Sequence, residues 1–223
     1  GEVRPVYSRQ EGKKYSNLIL LSNSNKGYSY NITATLSKDF GHGLDASIAY
    51  TFGESKVAND GLSSQAASNW KYNYSTDING DELYYSNFDM RHRFVGQLNY
   101  RIEYAKHFAT TIGLIYNGQS GPRYSILSYT DLNGDGERND LAYLPEKATT
   151  DKRSAMSYED FLAKNPDIAA YKGKIVPRNA LMAPFIHKFD LHFAQDFFLQ
   201  VSGKRHTLQL NADIINVGNL LNR

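Results

Sequence analysis

The chain has 223 residues, 41% of them hydrophobic and 22% charged, and its 25 basic and 23 acidic side chains leave a formal charge of +2. That length suits one domain or one large piece of a domain, and so balanced a charge, with no Lys/Arg stripe, argues against nucleic acid as a partner. With no cysteine, disulfide scaffolds, thiolate chemistry and cysteine-ligated metals are excluded.

The kind of apolar residue used is more telling. There are 17 Tyr and 11 Phe against one Trp and three Met; tyrosine and phenylalanine favour strands, and tyrosine suits a boundary between apolar and wet surroundings. No run approaches the length of a membrane helix. A membrane barrel is still open, because its spans alternate apolar and polar residues and give little hydropathy signal. The opening at Gly1 reads like the middle of a loop, so the chain is expected to be a fragment.

Residues 1–27 carry no alternation. From Tyr28 to Phe40 the period is two: Tyr28, Tyr30, Ile32, Ala34 and Leu36 share one face, and Ser29, Asn31, Thr33, Thr35 and Ser37 the other. A tight turn at Phe40 to Gly43 leads to Leu44, Ala46, Ile48, Tyr50 and Phe52, again alternating with polar residues, which makes 28–54 a hairpin. Residues 53–87 are rich in Ser, Asn, Asp and Gly, with a short helix suggested around Ser63 to Ser68.

A second hairpin is predicted over 88–117. Its first strand runs from Phe88 to Glu103 and it turns near Tyr104 to Lys106. Phe94, Gly96, Leu98, Tyr100 and Ile102 lie on one face of that strand, and Arg93, Val95, Gln97, Asn99 and Arg101 on the other. A long excursion occupies 118–184, with a brief strand suggested at Tyr124 to Tyr129 and a helix at Tyr158 to Tyr171, broken or kinked near Pro166. The third hairpin, 185–217, turns at Ser202 to Lys204. Residues 218–223 would begin a further, truncated loop.

Short turns within hairpins and long connections between them match a bacterial membrane barrel, with its short periplasmic turns and long outer loops. The polar faces carry mostly Ser, Thr, Asn, Gln and Asp rather than the Lys and Glu of a solvated sheet, as a crowded wet lumen would. Tyr28, Tyr30 and Tyr50 are expected in an aromatic girdle. The fold class read here is all-β: an antiparallel transmembrane β-barrel fragment spanning 1–223, with 1–27, 55–87 and 118–184 as extracellular loops. Membrane barrels start at about eight strands, so three hairpins need the remainder of a barrel as partner.

Several stretches resemble the late β-barrel region of Oar-like TonB-dependent outer-membrane transporters. These are SNSNKGYSYN (Ser22–Asn31), AASNW (Ala66–Trp70), FDMRHRFVG (Phe88–Gly96), IYNGQSGPRYS (Ile115–Ser125), DLNGDGERNDLAYLP (Asp131–Pro145) and LNADIINVGNLLNR (Leu210–Arg223). They follow one order over nearly the whole chain. The resemblance implies a closed barrel of about 22 strands in the bacterial outer membrane, an amino-terminal plug, and energy supplied through a TonB complex that would be contacted by regions outside this sequence. It also implies contact with membrane lipid or lipopolysaccharide and with a solute, peptide or protein ligand; peptides, proteins, glycans and metal complexes all remain open.

DLNGDGERND is the sharpest local motif. Asp131, Asn133 and Asp135 alternate before Gly136, as in a calcium loop, with Glu137, Asn139 and Asp140 as further oxygen donors. Ala142 stands where an EF-hand places its bidentate glutamate. A structural calcium site and a metal-free Asx-rich turn are therefore both readings of this loop, with Asp77, Asn79 and Asp81 a weaker echo. Asp89, Arg91, His92 and Arg93 would tie a loop to the barrel rim or lie in the path of an anionic solute. His187 and His192, five apart, fall on opposite strand faces, which is poor metal geometry, and His42, His107 and His206 sit near turns. No nucleophile elbow or phosphate-cradling loop is present, so no enzyme is expected. The favoured function is solute import; a passive porin and a soluble extracellular β-sandwich that binds a partner are the alternatives.

Overall fold

The computed structural model describes residues 3–8, 18–147 and 156–221. In chain order its elements are β1 (Tyr28–Gly41), β2 (Leu44–Val57), α1 (Ala66–Lys71), β3 (Tyr84–Tyr85), β4 (His92–Tyr104), β5 (Phe108–Gln119), β6 (Arg123–Tyr124), α2 (Tyr158–Lys164), α3 (Pro166–Ala169), β7 (Leu181–Met182), β8 (Ile186–Val201), β9 (Lys204–Ile214) and α4 (Gly218–Leu221). They fall into two compact units: a sheet unit of residues 30–53, 90–121 and 184–223, and a loop unit of 1–29, 54–89 and 122–183. No helix among the described residues is long and apolar enough to cross a membrane.

The six long strands form one open sheet in the order β1-β2-β4-β5-β8-β9, so each lies beside the next long strand in the chain. That up-and-down order follows from the turns. His42 and Gly43 both have positive φ, as do Ser202 and Gly203, the backbone twist that two-residue hairpin loops favour. Gly43 is also required by space: a Cβ there would stand 1.9 Å from the Arg101 carbonyl oxygen, whose residue donates its N–H back to the Gly43 carbonyl at 2.8 Å.

Register converts the alternation of single strands into continuous faces. Ala46, Leu98, Leu114, Leu191 and Ile214 form one cross-strand row; Leu44, Tyr100, Ile112, Phe193 and Ala212 form the next. On the opposite face Asp45, Asn99, Gly113, His192 and Asp213 line up in the same way. A one-residue slip would mix the two sets.

The loop unit has cores of its own. Leu162, Ile168, Val176 and Leu181 pack with Ile126, Leu144 and Tyr158 around them, and Tyr84, Leu141 and Ile175 form a second cluster. The Ser157 hydroxyl caps α2 by accepting the Asp160 N–H at 3.1 Å. Pro166 then opens α3, since a residue without an N–H fits a helix's first turn and not its interior.

Several sequence-based boundaries shift. The strand expected from Phe88 begins at His92, because Ser86 to Asp89 form a turn in which the Asp89 N–H donates to the Ser86 carbonyl. The helix suggested at Ser63 to Ser68 lies at Ala66–Lys71; Asn69 reaches back to Ser63 through both its side-chain oxygen and nitrogen, which keeps Ser63 outside the helix. The strand suggested at Tyr124 to Tyr129 shrinks to Arg123–Tyr124, with one isolated bridge from Leu127 to Leu141. β2 runs on to Val57, into residues read as irregular, because Lys56 and Val57 pair with β3. The described residues of the connection 118–184 supply most of the two apolar clusters.

Candidate functional site

The apolar face of the sheet unit carries large exposed side chains, while the opposite face buries a carboxylate. Ile112 is 53% exposed and Leu210 58%, whereas Asp196, on the polar face, is 4% exposed. A soluble sheet shows the reverse, because water drives apolar area inward. An apolar surrounding medium makes this arrangement favourable.

Two aromatic belts border the apolar face. At one end Tyr30, Phe52, His92, Tyr50, Phe94, Phe185 and His187 follow one another with ring centroids 4.7–6.3 Å apart. The other belt, near the short turns, joins Tyr104, Phe108 and Phe197 at 5.7 Å for each contact. Ten residue steps separate Phe94 from Tyr104, roughly 33 Å along the strand at about 3.3 Å per residue. At a tilt of about 40° that spans roughly 25 Å along the membrane normal, the height of an outer-membrane apolar band. Tyr30 and Tyr50 thus stand in a girdle as expected, while Tyr28 donates its hydroxyl to Glu54.

The opposite face is a lattice of polar pairs. Arg101 reaches Asp196 at 2.8 Å, Asp196 accepts from Gln209 at 2.7 Å, and Arg205 reaches Glu103 at 3.3 Å. Asn99 donates to Asp45 at 2.9 Å, and His192 meets Asp213 at 2.6 Å. His187 bonds the Tyr116 hydroxyl on the other face, so the two histidines are kept apart as their spacing implied.

In the loop unit the quoted motifs meet. Asp89, of FDMRHRFVG, bonds Arg123, of GQSGPRYS, through Oδ2 and Nε at 2.5 Å, and its Oδ1 accepts the Ser55 N–H at 2.7 Å. The Arg123 guanidinium lies 3.6 Å from the Tyr85 ring centroid and donates to the Asn179 carbonyl at 3.2 Å. Asn179 has φ +56°, and its amide donates to the Tyr85 carbonyl and the Asn87 side chain. Asp89 is thus held inside the loop unit, buried against Arg123. Sequence reasoning missed Arg123 and Asn179, and GPR and RN are too short to signal such a hub.

The DLNGDGERND loop closes on itself. Asp131 accepts the N–H groups of Gly134 and Gly136 at 2.7 and 2.9 Å, Asn133 that of Asp135 at 2.9 Å, and Asp135 that of Glu137 at 2.7 Å. The Glu137 side chain turns to Lys71 at 2.8 Å. Asp140, fully buried, takes Arg4 at 2.7 Å on one oxygen and the Leu132 N–H at 2.7 Å on the other. Asn139 is buried with its side-chain nitrogen unpartnered. Among the described residues no three His, Cys, Asp or Glu side chains converge as a metal-holding group. Asp77, in the echo motif, accepts from the Tyr7 hydroxyl at 2.6 Å, while the Tyr7 N–H donates to the Asn133 carbonyl at 2.6 Å. One tyrosine thus ties both Asp-x-Asn-Gly-Asp turns together, and burial with the Asp77 bond pushes its phenol up to about 12.

A comparison with protein families matches the outer membrane beta barrel domain over residues 2–222. Comparisons with curated proteins and with solved structures give no match. An exposed apolar face, belts at membrane spacing and a match along nearly the whole chain agree: this chain belongs to the outer membrane β-barrel domain family and resides in the bacterial outer membrane.

Proposed function

We propose that the chain supplies wall and extracellular loops to a TonB-dependent transporter that imports a solute across the outer membrane. The observation that carries this reading is the pairing of a lipid-height sheet with a separately packed loop unit, whose buried Asp89–Arg123–Asn179 hub gives the loops a fixed shape. Loops with apolar clusters of their own suit a receptor that must recognise its solute before import. The quoted motifs, which resemble Oar-like transporters, point the same way. In this reading the remainder of the barrel pairs with the open sheet edges, a plug fills the lumen, and TonB acts through the plug.

For the DLNGDGERND loop the reading adopted is the Asx-rich turn, supported by carboxylates already engaged with backbone N–H groups and Arg4. The transport reading is tested by whole-cell uptake of radiolabelled solutes with and without a functional TonB complex. Energised import requires uptake to stop when TonB is removed. Uptake that persists unchanged would make the protein a passive porin.

A further inference from the structure

The loop unit contains a cavity of about 350 Å³ whose lining includes Asn59, Asp60, Asn69, Tyr72, Asn73 and Arg178. This lies within the size range of small-molecule sites. Arg178 is 3% exposed, and burial lowers its tendency to hold a proton. Its guanidinium donates to the Asn73 side-chain oxygen and to the Val57 carbonyl, both neutral, and rests over the Tyr84 ring. Its Nε is buried without a partner. Keeping an arginine here costs desolvation that two neutral oxygens and the attraction of Asp60 only partly offset, and with its Nε left without a partner packing alone is a poor account of it.

The rest of the lining sets the ligand's charge. Asp60 balances Arg178, and its oxygens are already held by Ser86 and by the Asn87 backbone and side chain. Asn59 and Asn69 are fixed by bonds to neighbouring backbone, so their amides are preorganised. Tyr72 is 61% exposed beside them. A charge-balanced hollow with fixed amides, one guanidinium, one carboxylate and an aromatic ring offers paired donors and acceptors plus an apolar face. That is the complement of a pyranose, with its vicinal hydroxyls and C–H face.

We propose that this cavity is a saccharide subsite taking one neutral pyranose unit, with Tyr72 against the sugar ring and Asp60, Asn73 and Arg178 exchanging hydrogen bonds with its hydroxyls. The assignment rests on the import reading and names its solute class.

The test is calorimetric titration of the detergent-purified full-length protein with glucose, galactose, mannose and N-acetylglucosamine and their disaccharides, beside glucuronate and a neutral tripeptide. A neutral sugar is expected to bind, with affinity lowered about fivefold or more by Tyr72→Ala and retained by Tyr72→Phe. Tyr72 is exposed, so neither variant threatens folding. Absence of binding by every neutral sugar, binding by glucuronate or the peptide alone, or an affinity indifferent to Tyr72→Ala would overturn the assignment. Binding in detergent needs no energy source. Failure here with TonB-dependent uptake intact sinks only the saccharide assignment, and sugar binding with TonB-independent uptake sinks only the import reading.

Discussion

Asp89 and Arg123, 34 positions apart in the chain, meet through a 2.5 Å contact with side chains 0% and 5% exposed. Breaking a buried pair from one side leaves an uncompensated charge, at a cost of about 3–5 kcal/mol. Arg123→Met is therefore expected to loosen the loop unit by that order, and the double variant with Asp89→Leu should recover part of it. Limited proteolysis of the folded protein in detergent reads this as cleavage within 54–89 and 122–183. Equal resistance of the single variant and the parent would refute the pair's role.

The two faces of the sheet unit predict opposite responses. The chain has no cysteine, so single cysteines can carry spin labels without background. Labels at Leu98, Ile112 and Phe193 should relax with lipid-soluble oxygen, and labels at Gln97 and His192 with a water-soluble nickel chelate. Ile112→Arg should cost about 2–4 kcal/mol in a bilayer, whereas Gln97→Lys should cost little. Water-accessible labels at 98 and 112 would remove the membrane placement.

Glycine at two hairpin turns should not be equally replaceable. Gly203 has φ +75° and open space around it, so Gly203→Ala pays only the left-handed penalty, about 1–2 kcal/mol. Gly43→Ala adds a backbone clash with Arg101 and is expected to cost on the order of 3–5 kcal/mol. Urea unfolding of both variants in detergent compares them directly; equal midpoints would contradict the close approach.

Tyr7 gives a pH dependence with a definite sign. Its folded pKa, about 12, lies above the ordinary 10.0, so folding favours the protonated phenol. The stability it contributes is complete below pH 10 and is lost as pH rises through about 12. Protease sensitivity near residues 3–8 should increase over that window in the parent. Tyr7→Phe should lack the step, and an identical profile in the two proteins would exclude it.

In the DLNGDGERND loop, Asp131, Asp135 and Asp140 already satisfy backbone donors and Arg4. Millimolar calcium is accordingly expected to leave the melting temperature unchanged. A rise reversed by a chelator would assign the loop to a cation instead.

Strand content, the two-faced pattern and the membrane setting were legible in the chain because side-chain direction in a strand alternates strictly. Leu98 and Asn99 declare their faces without any partner. The belt at Tyr30 and Tyr50 could be anticipated for the same reason, since tyrosine's mixed character marks an interface wherever it falls.

What the sequence could not determine was which distant polar residues would share a buried pocket. The sequence left Asp89 open to a loop tie or a solute path; only the structure pairs it, buried, with Arg123. Tyr7, Arg4 and Arg178 carried no local signal at all, since hydrogen bonds across 70 to 137 positions depend on how the loops close on one another. Local periodicity is a property of neighbours along the chain, and a buried polar hub is a property of neighbours in space.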